Sequence, residues 1–158
     1  MEESDLPKPS EISSNEKERA MAAYLTVFAT TALGLPLPFL NFIAALAYHY
    51  FIRKTSPFVS FHSYQSLISQ FIISIFNGIT VVWTVTNFFQ DSFNNIYFAF
   101  LILTVILNLS YFIVSFVAAL MAYKGKMFYF LLFGHLAFQR GYRRYDDAGT
   151  PDYNTPPS

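Results

Sequence analysis

Apolar residues run along this chain in long blocks, and the polar ones gather at the joints between them. Between residues 20 and 123 the only acidic or basic side chains are Arg53, Lys54 and Asp91. The first uncharged block, 20–52, would make a single helix roughly 50 Å long, against a hydrocarbon core of roughly 30 Å. Gly34-Leu35-Pro36-Leu37-Pro38 stands in its middle, and two prolines two apart leave amides unbonded and break a helix. The block therefore predicts a helical hairpin, with helices over about 16–33 and 38–52. Each is short for a crossing, so a full and a re-entrant hairpin both stay open. Ser13 and Glu16 have capping-box spacing, which places the first helix start near residues 14–16. The polar turn Arg53-Lys54-Thr55-Ser56-Pro57 leads through an interfacial entry into a span over about 61–89. Gln90-Asp91-Ser92 and Asn94-Asn95 form the next loop, and another span follows over 96–123. The aromatic segment 127–138 is too short to cross and reads as an interfacial helix.

The fold class predicted is an all-α integral membrane protein. It is a four-helix transmembrane bundle whose first two helices form a Pro-broken hairpin, with a short C-terminal interfacial helix. One membrane domain occupies 16–139, and residues 1–15 and 140–158 are expected to be disordered tails.

Composition sharpens that picture. Charged residues make up 13% of the chain and aromatic residues 20%, where a soluble domain carries about 25% charge. The net charge is zero, but its parts are segregated: all ten Lys and Arg residues lie at 8, 17, 19, 53, 54, 124, 126, 140, 143 and 144. A leading hairpin brings every one of them to one side, and the positive-inside rule makes that side cytoplasmic. Both termini are then expected in the cytoplasm, with the protein in the cell inner membrane. The acidic start, Met1-Glu2-Glu3-Ser4-Asp5, is not a secretory signal, so the first span is expected to be retained. Cysteine is absent, which removes thiolate metal sites and cysteine nucleophiles.

Within the spans, polar residues fall in stripes. At about 100° per residue, His62, Gln65, Ser66, Ser69, Asn77, Thr80, Thr84 and Asn87 share roughly a third of one helix's circumference. Thr104, Asn108, Tyr111 and Ser115 share a face of the next. Such stripes avoid lipid by facing each other or a partner. Interhelical hydrogen bonding and a wet groove are both compatible with them. No Asp, Glu, Lys or Arg lies inside a span, which disfavours pumps and voltage sensors. His49, His62 and His135 are dispersed, without a carboxylate neighbour, and no H-E-x-x-H or Gly-rich phosphate loop occurs. No catalytic residue, metal or cofactor is expected, and no nucleic-acid partner. Arg140, Arg143 and Arg144, behind the aromatic segment, are candidate contacts for anionic lipid headgroups.

The stretch Thr55-Ser56-Pro57-Phe58-Val59-Ser60-Phe61-His62-Ser63-Tyr64-Gln65-Ser66-Leu67 resembles the signature of the Tic-twenty family, chloroplast inner-envelope protein-import components, and of its small bacterial homologues. The run from Ala118 to Lys126 is similar to the bacterial group's ending. This resemblance implies four membrane helices with termini inside and, in the chloroplast branch, a place in a protein-conducting translocon. Phe58 and Phe61 are expected at the headgroup boundary, with His62 and Gln65 bonding the Arg53–Lys54 turn, a helix or a passing polypeptide. The function expected is a non-enzymatic scaffold or subunit in protein transport or membrane-protein biogenesis. The alternatives are an oligomeric small-solute or ion channel and a lipid-interacting protein. Partners are the bilayer and either further copies or other membrane proteins.

Overall fold

The computed structural model describes residues 8–32, 39–130, 134 and 136–140. Four helices follow in order: α1 (Ser14–Ala32), α2 (Leu40–Ile52), α3 (Pro57–Gln90) and α4 (Asn95–Tyr123). Among the described residues there is no strand. The Gly34–Pro38 break lies outside them, as do His135, Arg143, Arg144 and most of both tails.

Local chemistry sets the helix ends. The Ser13 amide donates to Glu16 Oε2 at 2.9 Å and the Glu16 amide to Ser13 Oγ at 3.3 Å, a closed capping box. α3 begins four residues earlier than the expected 61. Ser56 caps it, accepting from the Val59 amide at 3.3 Å, and Pro57 stands where its missing N–H is no loss. Residues 57–60 are thus the first turn of the helix rather than an interfacial entry. α3 ends at Asp91, which takes a left-handed φ of 47°. Asn94 then caps α4, accepting from the Tyr97 amide at 2.9 Å.

Two helices, α3 with 34 residues and α4 with 29, are long and apolar enough to cross a membrane. At 1.5 Å per residue they measure roughly 51 and 43 Å. α2 has 13 residues, roughly 20 Å, and α1 offers a similar apolar length after Arg19. The four-span expectation therefore becomes two helices of spanning length with two shorter ones packed along them. α1 contacts α2, α3 and α4, and α2 packs on α1 and α3. Ala20 and Ala23 of α1 and Ala118, Ala119 and Ala122 of α4 are buried, small enough to let these backbones approach. Phe39, just ahead of α2, lays its ring against Gly78, where an added Cβ would sit 3.0 Å from Phe39 Cζ.

The burial pattern is inverted relative to a protein folded in water. His62, Gln65, Ser66, Gln70, Ser74 and Ser115 are among the most buried side chains, while Phe51, Phe88, Phe89 and Ile96 are at least 71% exposed. A soluble domain hides the second set and shows the first. Lipid reverses the preference, because a bare amide or hydroxyl finds no partner in hydrocarbon. Exposed aromatics collect at both ends of the long pair, Tyr50, Phe51 and Tyr123 at one and Phe88, Phe89 and Phe98 at the other. That is where amphipathic rings meet headgroups. The protein is therefore membrane-associated.

The start of α1, the end of α2, the start of α3 and the end of α4 meet at one end of the molecule, called proximal below. There Arg19 donates to Thr55 Oγ1 at 3.1 Å, and Lys17 and Pro9 pack on Gly125, whose φ is +71°. Asp91 lies at the other, distal end. The interfacial helix expected over 127–138 does not begin at 127. Residues 126–130 are non-helical, and helix is described at 134 and 136–140. The reason is Gln65, which captures the backbone of this segment.

Candidate functional site

His62, Gln65, Ser66, Ser69 and Gln70 recur at i, i+3, i+4, i+7 and i+8, one stripe of α3 turned toward α1 and the segment after α4. Gln65 is its centre. Its side-chain amide donates to the Tyr24 hydroxyl at 2.9 Å and to the Phe128 carbonyl at 2.8 Å, and its Oε1 accepts from the Phe130 amide at 3.2 Å. Two of these bonds grip an extended chain as a neighbouring strand would, which keeps 126–130 out of a helix. The same Tyr24 hydroxyl is hydrogen-bonded to His62 Nδ1 at 2.9 Å. Ser66 donates to the Ala23 carbonyl at 2.8 Å, and Gln70 donates to Thr26 Oγ1 at 3.0 Å and Ser66 Oγ at 2.9 Å. Ser69 turns back to the Gln65 carbonyl at 2.8 Å. α2 joins through His49 Nδ1, 2.8 Å from Ser63 Oγ.

Toward the distal end the partners change from α1 to α4. Asn77 and Asn108 exchange amide hydrogen bonds at 3.2 and 2.7 Å. Thr80 meets Thr104 at 3.0 Å, and Thr84 meets the Tyr97 hydroxyl at 2.8 Å. Each rung rises on α3 as it falls on α4, the signature of an antiparallel pair. Trp83 braces it, its ring centroid 5.6 Å from that of Phe100 and 5.9 Å from that of Tyr97. Asn87 accepts from Ser92 at 3.3 Å, tying the loop to the helix end.

The expected polar residues thus divide into two groups. Tyr111 and Ser115 belong with the proximal group, both buried on α4. Arg140 stacks on Tyr64, its guanidinium 5.8 Å from the ring centroid. Arg143 and Arg144 lie outside the described residues. Phe58 and Phe61, expected at the headgroup boundary, are instead fully buried, their ring centroids 4.5 and 4.9 Å from that of His62. The segment after α4 and the first turns of α1 cover them. Tyr24, Gln70, Ser63 and Ser74 were missed in the sequence. Gln70 carried a signal, its place four residues after Ser66; Tyr24 carried none, because its partners lie 38 and 41 residues away. Among the described residues no group of three or more His, Asp or Glu side chains is placed to hold a metal ion.

At the proximal end, outside the membrane-spanning segments, the Glu16 carboxyl is shifted. Partial burial pushes it up, but hydrogen bonds from the Ser13 and Ser56 hydroxyls and the Ser13 amide, with Lys17 nearby, outweigh that and hold it below the usual range.

Apolar exteriors, buried amides and two helices long and apolar enough to span define a helical membrane protein whose polar groups are largely spent between its own elements. Residues 15–136, most of the chain, match the magnetosome magnetite crystal formation protein family, MamF_MmsF, and the chain belongs to that family. This match overturns the Tic-twenty resemblance. The residues that carried it, Phe61, His62 and Gln65, are accounted for here by internal packing, and the protein-transport expectation that rested on it goes with it. No curated protein and no solved structure is similar enough to be compared with the chain.

Proposed function

We propose that this chain is a non-enzymatic structural protein of the magnetosome membrane that takes part in magnetite crystal formation. The observation carrying this reading is the family match over 15–136. The geometry supports an architectural role, since His62, His49 and Gln65 are bonded within the molecule, to Tyr24, Ser63 and the 128–130 backbone. The basic residues of the proximal end favour the cytoplasmic face. The loop 91–94 then faces the vesicle interior in which the crystal grows, held in place by the α3–α4 rungs. A channel between copies would need polar faces turned outward, whereas Asn77, Thr80 and Thr84 find their partners inside one copy.

A tagged chain and a deletion of its gene in its magnetite-forming host test this reading. The protein is expected in crystal-bearing vesicles, and its loss is expected to change crystal size or number by electron microscopy. Uniform distribution through the cell membrane, with unaltered crystals in the deletion strain, overturns it.

A further inference from the structure

The Asn77–Asn108 rung is the most proximal of the ladder, and beyond it α3 and α4 take other neighbours. α1 enters along one side, where Ser66 donates to the Ala23 carbonyl at 2.8 Å and the ring centroids of Phe28 and Phe112 lie 4.4 Å apart. Residues 128–130, held by Gln65, cover another. A cavity of about 460 Å³ remains between α3, α4 and that cover. Ile72 and Ile73 of α3, Leu107 and Val114 of α4, and Phe128 and Phe130 make its walls mostly apolar. Of its few hydroxyls, that of Ser69 is already spent on the Gln65 carbonyl at 2.8 Å.

We propose that this cavity is a binding site for one acyl chain of an anionic phospholipid, whose headgroup sits at Lys126 and Arg140. Depth is the first support. Ile73 stands at the middle of α3, and Leu107 and Tyr111 flank the middle of α4, so the cavity lies in the hydrocarbon core when this pair crosses a bilayer. Ser110 and Val114 are exposed at its rim, which opens it sideways to lipid. Protein interiors keep few voids larger than a water molecule, and an apolar cavity stays dry and takes an apolar ligand. Its volume falls within the about 300–1,000 Å³ of small-ligand sites. Charge is the second support. Lys126, exposed just ahead of Phe128, bonds the Met121 carbonyl at 2.9 Å at the end of α4. Tyr111 lies roughly 15 Å down the helix from Met121, and a chain running from headgroup to midplane covers roughly 15 Å, half of the core. Arg140, also exposed, follows Phe138, whose ring centroid is 6.2 Å from that of Tyr129, another wall of the cavity. Two cations above an apolar slot of that depth match an anionic headgroup above a chain.

Photolabelling of the full chain in phosphatidylcholine liposomes tests this, with a phosphatidylglycerol probe carrying a diazirine near the end of one chain and adducts mapped by mass spectrometry. Adducts are expected to concentrate at Ile73 and Leu107 over the outward-facing Ile106 and Ile113 at similar depth. An even spread overturns the proposal, and so does exclusion of the probe from Ile73 and Leu107, the result if water or a second copy fills the cavity. Ile73→Trp, which fills the space, is expected to bring labelling at Leu107 down to that at Ile106 and leave Ile113 unchanged; undiminished labelling at Leu107 overturns the proposal. A phosphatidylcholine version of the probe should label Leu107 at least about fivefold less, the weight of one cation near an anionic headgroup. Lys126→Gln with Arg140→Gln should erase that difference. Equal labelling by the two probes in the parent overturns the headgroup assignment, and displacement by palmitate as readily as by phosphatidylglycerol overturns the phospholipid as occupant. None of these readouts depends on the magnetosome reading.

Discussion

The two ends of α3 solve the same problem differently. At the distal end, polar side chains pair one to one with α4, and each rung is a closed unit of two side chains. At the proximal end, Gln65 alone serves Tyr24, Phe128 and Phe130, so two separate pieces of chain, α1 and the segment 126–130, depend on one amide. A ladder degrades rung by rung, whereas a hub fails as a whole. Proximal substitutions should therefore be costly and non-additive, and distal ones mild and pairwise.

The largest expected effect follows from removing the hub. Gln65→Leu keeps the volume near its original value but strips the Phe128 carbonyl, the Phe130 amide and Tyr24 of a partner. A loss of about 3 kcal/mol is expected, taking about 1 kcal/mol for each stranded group. It should appear as a lower Tm in detergent and as faster proteolysis at 126–130. A variant as stable as the parent would mean that this segment is not held by Gln65.

Next comes the ladder. Asn77→Leu and Asn108→Leu should each destabilise, and the double variant should lose less than their sum, with a coupling of about 0.6–1.7 kcal/mol. Asn108 also donates to the Thr104 carbonyl at 2.8 Å, so Asn77→Leu should be the milder single change. Strict additivity in a double-mutant cycle would deny the rung.

The smallest effect lies at the α1 cap. Because the folded state lowers the Glu16 pKa, its contribution is present above the unfolded value and is lost as pH falls through the folded one. Glu16→Gln should flatten the dependence of Tm on pH in the acid range and change little near neutrality. An unchanged acid-side slope would remove Glu16 from the account.

The sequence reading reached different depths in these regions. The capping box and the apolar blocks are local features, written in adjacent residues. The α3 start was equally local, and Ser56-Pro57 is a cap followed by an N1 proline; an interfacial-entry reading concealed it. The polar stripe was visible as periodicity, but which residue meets which was not, because Tyr24 and Gln65 are partners only after α1 folds back along α3. Phe58 and Phe61 were misplaced for the same reason: aromatic residues near a charged turn look interfacial until another segment covers them. The family lay beyond reach, since an aromatic-His-Gln element at a helix start can be explained by packing alone.

The account stands on α3 crossing the membrane between its basic and acidic ends. Native cysteine is absent, so Lys54→Cys and Asp91→Cys, both at exposed positions, give clean single probes in sealed, uniformly oriented vesicles. An impermeant maleimide is expected to label one of them in intact vesicles and the other only after permeabilisation. Labelling of both from the same side would contradict the account.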